Sequence, residues 1–139
     1  MKLFVLLACM LPFTITAQSV KDHEQAMKKF QQFYNAGLGD SINNMFGETW
    51  TQAKAIRPIW TNEGNTSLLK EFGTLKSFRF IGIDETDPKK VYVFETIFSK
   101  RGAKTTSLTL GKDNKLGTFR FYTTSEGITE LLRKSRKSR

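Results

Sequence analysis

Val91–Phe98, VYVFETIF, is a run of β-branched and aromatic residues with one acid, Glu95, in its middle. Such residues fit a pleated, buried surface, so the stretch reads as a strand. Side chains alternate across a strand, which puts Tyr92, Phe94, Thr96 and Phe98 on one face and Val91, Val93, Glu95 and Ile97 on the other. The first set is a core face. The second carries a carboxylate that is either a catalytic group or half of an outward-facing ion pair.

Register decides between these readings. Three more strand-like runs surround this one: Leu75–Asp84 before it, then Lys104–Gly111 and Leu116–Thr123. The connections ETDPKK, KRGA and KDNK are short, so the strands form antiparallel hairpins. A first hairpin centred on Asp87 sets Phe80 opposite Phe94 and Arg79 opposite Glu95. A second, centred on Arg101, sets Glu95 opposite Ser107. A third, centred between Asp113 and Asn114, sets Ser107 opposite Arg120 and Leu108 opposite Phe119. The expected outer row is Arg79, Glu95, Ser107, Arg120, with Glu95 as the partner of Arg79. The repeated Phe-Arg-Phe at 78–80 and 119–121 agrees, with aromatics inward and arginines outward. That alternation also speaks against base stacking on a nucleic-acid-binding sheet, because helices should cover the Phe face.

The residues before Leu75 have helical spacing. Ala26, Phe30, Phe33, Tyr34 and Leu38 make an apolar stripe on a helix from about Val20 to Ala36, with Ser19 or Asp22 as its cap. Asp40 is expected to cap a short helix carrying Ile42, Met45 and Phe46. A further helical stretch over about Glu48–Arg57 should end before Pro58. TNEGNTS reads as a loop holding a glycosylation sequon at Asn65, and Leu68, Leu69 and Phe72 as one helical turn closed by Gly73. Helices on one face of an antiparallel sheet make an α+β fold.

The two ends differ from the domain between them. MKLFVLLACMLPFTITA, residues 1–17, has a basic start, an apolar run and a small residue before Gln18, and reads as a secretory leader. The run is too short for a comfortable membrane span. Leu6–Cys9 looks like a lipoprotein box, but its apolar lead is too short for a lipid anchor at Cys9 to be expected. Cutting after Ala17 removes the single cysteine, so an exported domain of residues 18–132 would rely on its core alone. Without Lys2, 21 basic residues face 13 acidic ones, and the last seven residues hold five of the basic ones. The basic character is thus largely that of residues 133–139, a tail with no apolar residue and an expected disordered segment. Arg133, Lys134, Arg136, Lys137 and Arg139 suit weak, salt-sensitive contact with an anionic surface.

Catalytic signals are sparse. His23 is the single histidine and is expected on the surface, without the partners of a triad or zinc site. Asp84, Glu85 and Asp87 read as a turn with Pro88 and two lysines, not a calcium loop. The ten glycines are scattered and form no phosphate loop, so no cofactor or metal is implied. The remaining candidate is a pocket lined by Tyr34, Trp50, Trp60, Phe72, Phe94 and Phe121, with hydroxyls from Thr96 and Thr106. The alternative is that these rings simply fill a core.

FYNAGLGDSINNMF at Phe33–Phe46, LLKEFGTLKSFRF at Leu68–Phe80 and KLGTFRF at Lys115–Phe121 resemble an uncharacterised family of exported bacterial domains. That family lies in the nuclear-transport-factor-2-like, or cystatin-like, superfamily, and the likeness covers about residues 25–123. Phe33, Tyr34, Asn35, Asp40, Ile42, Met45 and Phe46 carry the opening motif. The resemblance implies N-terminal helices packed on a curved four-stranded antiparallel sheet. Members are often fused ahead of serine-hydrolase-like enzymes. No such enzyme follows here, so the implied role is a stand-alone accessory module, periplasmic or extracellular, that binds a small apolar ligand or a protein partner. Ketosteroid-isomerase-like enzymes of the same fold place ionisable groups inside the cone, and none can be carried over to a residue here. A homodimer through the outer face near Ile97 is a further option.

Overall fold

The computed structural model describes residues 11–47, 60–85 and 88–122, with the side chains of 11–17 and 122 excepted. Residues 1–10 with Cys9, the helix expected over 48–57 with Trp50, Asp87, and the chain from 123 onward with its basic tail lie outside the described residues. Three helices, α1 (Leu11–Asn35), α2 (Gly39–Asn43) and α3 (Asn62–Phe72), precede β1 (Leu75–Asp84), β2 (Val91–Phe98), β3 (Gly102–Leu110) and β4 (Leu116–Tyr122). The strands form one antiparallel sheet in the order β1-β2-β3-β4, so the fold is α+β. None of these helices is long and apolar enough to cross a membrane.

α1 is described from Leu11 onward, upstream of the expected start at Val20, and runs through the C-terminal part of the leader-like segment. Ser19 and Asp22 are therefore interior residues, not caps. The buried stripe is His23, Met27, Phe30 and Tyr34, with Ala26 and Phe33 half-buried beside it. Gly37, at φ +75, ends the helix and turns the chain, which leaves Leu38 43% exposed instead of on the stripe. α2 then begins with Leu38 at its N-cap, so Asp40 lies in the first turn and caps nothing. Ile42 and Phe46 enter the core.

TNEGNTS is not a loop. Thr61 Oγ1 accepts from the Gly64 amide at 2.9 Å, an N-cap that starts α3 with Glu63 in its first turn. Gly64 costs the helix about 1 kcal/mol relative to alanine, and the cap offsets that. Asn65 is fully buried and donates its Nδ2 to the Tyr34 carbonyl at 2.8 Å, so the sequon is closed in the folded chain.

β1 and β2 pair as expected, with Phe80 opposite Phe94 and Arg79 opposite Glu95. The second hairpin differs. Its turn is Ser99–Arg101, and Gly102, at φ +67, already pairs with Phe98, so Glu95 faces Thr105 and not Ser107. A left-handed glycine lets the chain reverse one residue earlier than a turn centred on Arg101. The outer row thus runs from Arg79 through Glu95 to Thr105, whose backbone pairs with Tyr122, while Ser107 and Arg120 pair in the row of Val93. The partner moves by two residues, so every side chain keeps its face. The middle of this face, Val93, Thr105 and Ser107, is buried, and Ile97 is half-buried.

Arg79 reaches Glu95 Oε1 at 3.1 Å, with side-chain exposures of 72% and 32%. A pair this exposed contributes little. Glu95→Gln should lower the unfolding free energy by no more than about 1 kcal/mol, and by less in high salt. A loss of several kcal/mol in urea titrations would show that Glu95 does something other than pair with Arg79.

The helix stripe lies on the inner face of the sheet. The Phe30 ring sits 4.5 Å from that of Phe119 and 5.5 Å from those of Phe121 and Trp60. His23, expected at the surface, is only 5% exposed and stacks on Tyr92 with ring centroids 3.5 Å apart. Spacing explains this, since positions 23, 27, 30 and 34 share one helix face. Nδ1 lies 2.6 Å from the Ser19 carbonyl, which can only accept, so Nδ1 carries the proton. The Ser19 hydroxyl meets the Tyr92 hydroxyl at 2.5 Å, completing the link between α1 and β2.

Burial lowers the His23 pKa, against the opposing pull of the Ser19 carbonyl and the Asp22 carboxylate. The unfolded chain therefore binds the proton more readily than the folded one. The stability from the neutral ring is full above about pH 6.5 and is lost as the pH falls below it. Urea midpoints measured from pH 8 to 5 should fall on the acid side, and His23→Phe should flatten that fall. An unchanged slope in the variant would assign it to other groups.

Candidate functional site

A cavity of about 240 Å³ lies where α1, α3 and the inner face of the sheet meet. Tyr34 of α1, Leu68, Glu71 and Phe72 of α3, Phe98 of β2, Lys104 of β3 and Phe121 of β4 line it. Phe98 is the hub of its wall. Its ring lies 5.7 Å from Tyr34, 5.6 Å from Phe72 and 5.9 Å from Phe121, all edge to face. This geometry suits the ring quadrupoles and keeps the wall rigid.

Local sequence sets these elements in place. Gly73, at φ +77, ends α3, and its amide donates to the Leu69 carbonyl at 2.9 Å. The Lys100 amide then donates to the Phe72 carbonyl at 3.0 Å, and the Ser99 amide to that of Thr74 at 2.9 Å. The end of α3 is thereby pinned to the β2–β3 turn. On the other side, the Tyr34 hydroxyl donates to the Gly73 carbonyl at 3.0 Å. Burial pushes the Tyr34 pKa up to about 12, so the phenol stays a neutral donor. Asn35 receives the Leu75 amide on Oδ1 at 2.8 Å and gives Nδ2 to the Leu75 carbonyl at 3.0 Å. These bonds hold the far end of α1 against the start of β1.

Of the residues expected to line a pocket, Tyr34, Phe72 and Phe121 come together here. Phe94 is fully buried mid-strand and packs on Phe78 and Phe80, with centroids 6.1 and 5.6 Å away. Trp60 is also buried, against Phe30, Phe119 and Phe121. Neither lines the cavity. Thr96 and Thr106 bond each other at 3.1 Å and offer it no hydroxyl. Glu95 faces away, and His23 packs on Tyr92. Four lining residues are not among those expected there: Leu68, Glu71, Phe98 and the cation Lys104. Lys104 stands two positions before Thr106, so strand alternation places it on the same inner face.

A larger groove of about 610 Å³ lies between α1, α2 and the β3–β4 turn. Asp22, Lys29, Asp113 and Lys115 are among its walls, a mixed and solvated set. The smaller cavity, with aromatic walls and few polar groups, has the character of a ligand site. Among the described residues no group of His, Cys, Asp and Glu could hold a metal ion. No protein-family model matches this chain, nor does any curated protein or solved structure.

Proposed function

We propose that this chain is an exported, non-enzymatic accessory module that binds a small apolar ligand in the cavity beneath α3. The observation that carries this reading is the aromatic wall of Tyr34, Phe72, Phe98 and Phe121 around an open space of about 240 Å³. Apolar surface buried there by a ligand is the driving force for binding. Export is supported by the leader-like composition of residues 1–17. A place in the nuclear-transport-factor-2-like superfamily, with the sheet curved into a cone, is supported by the order of helices before four antiparallel strands and by the motif residues Tyr34 and Asn35.

The test is thermal and urea unfolding of the chain against a panel of small apolar compounds. A ligand at a hundred times its dissociation constant should add about 2.7 kcal/mol. The gain should shrink in Phe72→Ala, whose half-buried ring can be removed without emptying the core centre. If no compound on the panel stabilises the chain, the cavity is not a ligand site, and binding of a protein partner becomes the better reading.

A further inference from the structure

We infer that the cavity takes a small monocarboxylate, its apolar body against Phe72, Phe98 and Phe121 and its carboxylate on Lys104. This rests on the ligand-binding reading above and adds the charge of the ligand.

Lys104 is the one charged residue at an inward position of β2, β3 or β4, since Glu95 and Arg120 both point outward. A lysine among aromatic rings keeps its stem on apolar surface and needs water or an anion at its head. The neighbouring charges already have partners. Glu71 meets Arg101 at 3.4 Å, and the Lys100 ammonium donates to the Lys70 carbonyl at 2.9 Å. Among the described residues the Lys104 ammonium makes no hydrogen bond or ion pair. Among the described residues, the cavity thus presents one uncommitted cation beside an apolar wall. Glu71, which also lines it, would repel a second carboxylate, so a monocarboxylate fits better than a diacid. Its Arg101 partner leaves Glu71 a weak anchor for an amine.

Size narrows the class further. A space of about 240 Å³ is below the usual range for drug-sized ligands, about 300–1,000 Å³. At about 30 Å³ per water it would hold roughly eight waters, which corresponds to a ligand of about eight to ten non-hydrogen atoms. Medium-chain fatty acids and short aryl-alkanoic acids are of this size.

The test compares octanoate, octanamide and octylamine by calorimetric titration into the full-length chain. Octanoate should bind about tenfold tighter than octanamide, because the Lys104 ammonium then meets a full negative charge instead of a neutral carbonyl. Lys104→Met keeps the stem's bulk and should abolish that preference by weakening octanoate more than octanamide, and Lys104→Arg should keep it. Phe72→Ala should weaken both ligands alike. Equal binding of octanoate and octanamide by the unsubstituted chain would overturn the carboxylate assignment and leave the apolar pocket standing. Tightest binding by octylamine would overturn it in favour of Glu71. Binding by none of the three would overturn both the assignment and the pocket.

Discussion

Phe30→Ala is expected to cost about 3–5 kcal/mol of unfolding free energy, the range for removing a fully buried phenylalanine ring. The upper part of that range applies here. Phe30 has no exposed surface, and the rings of Tyr34, Trp60, Phe119 and Phe121 all lie within 5.7 Å of its centroid. Four flat, rigid neighbours cannot collapse into the space as flexible side chains would, so most of the hole would persist. Domains of this size are stable by about 5–15 kcal/mol in all, which places the variant near the edge of folding. Urea unfolding followed by circular dichroism measures the cost directly. A loss below about 2 kcal/mol would mean that α1 does not pack on β4 as described.

Two of the rings that Phe30 touches, Phe119 and Phe121, were legible as core from the Phe-Arg-Phe repeat. A strand with one buried face writes its orientation in alternate residues, and the bounds of β1 and β2 are those expected from alternation. The second hairpin is not legible in the same way, because its register hangs on one backbone angle, the positive φ of Gly102, which composition does not reveal. α3 was hidden for a related reason. Gly64 and the asparagines on either side of it look like turn residues, and only the cap from Thr61 makes them a helix start. The burial of His23 is legible in its helical spacing and not in its residue type, since a polar side chain stands on the apolar stripe.

The candidate site was legible in part. Tyr34, Phe72 and Phe121 meet at the cavity, while Phe94 and Trp60 serve the core, and residue type alone could not separate the two uses. Lys104 needed the register and the charges of its neighbours to stand out. The stretches Phe33–Phe46 and Leu68–Phe80, on which the expected resemblance rests, are bonded to one another. Tyr34 reaches Gly73, and Asn35 holds both backbone groups of Leu75. These residues therefore have a structural role, docking α1 onto the end of α3 and the start of β1, and that docking shapes one side of the cavity.

Gly39→Ala should be the most damaging of the glycine substitutions that introduce no left-handed strain. A Cβ on Gly39 would lie inside the van der Waals shell of the Thr61 carbonyl, whose carbon and oxygen are both backbone atoms. No rotamer change can relieve that, so α2 must draw away from the start of α3. The same contact carries two further bonds, the Asp40 amide to Asn62 Oδ1 at 3.1 Å and Asn43 Nδ2 to the Trp60 carbonyl. Overpacking costs about 1–3 kcal/mol and occasionally more, and a backbone-on-backbone clash with linked hydrogen bonds belongs at the top of that range. Gly82→Ala is the matched control, because a Cβ there meets nothing within 4 Å and its φ lies outside the left-handed region. Gly82→Ala should leave the urea midpoint almost unmoved while Gly39→Ala lowers it steeply. The Gly39 variant should also bind apolar ligands more weakly, since α3 supplies Leu68 and Phe72 to the cavity wall. Equal midpoints for the two variants would mean that α2 and α3 do not touch through Gly39, and the position of α3 over the cavity would then need another cause.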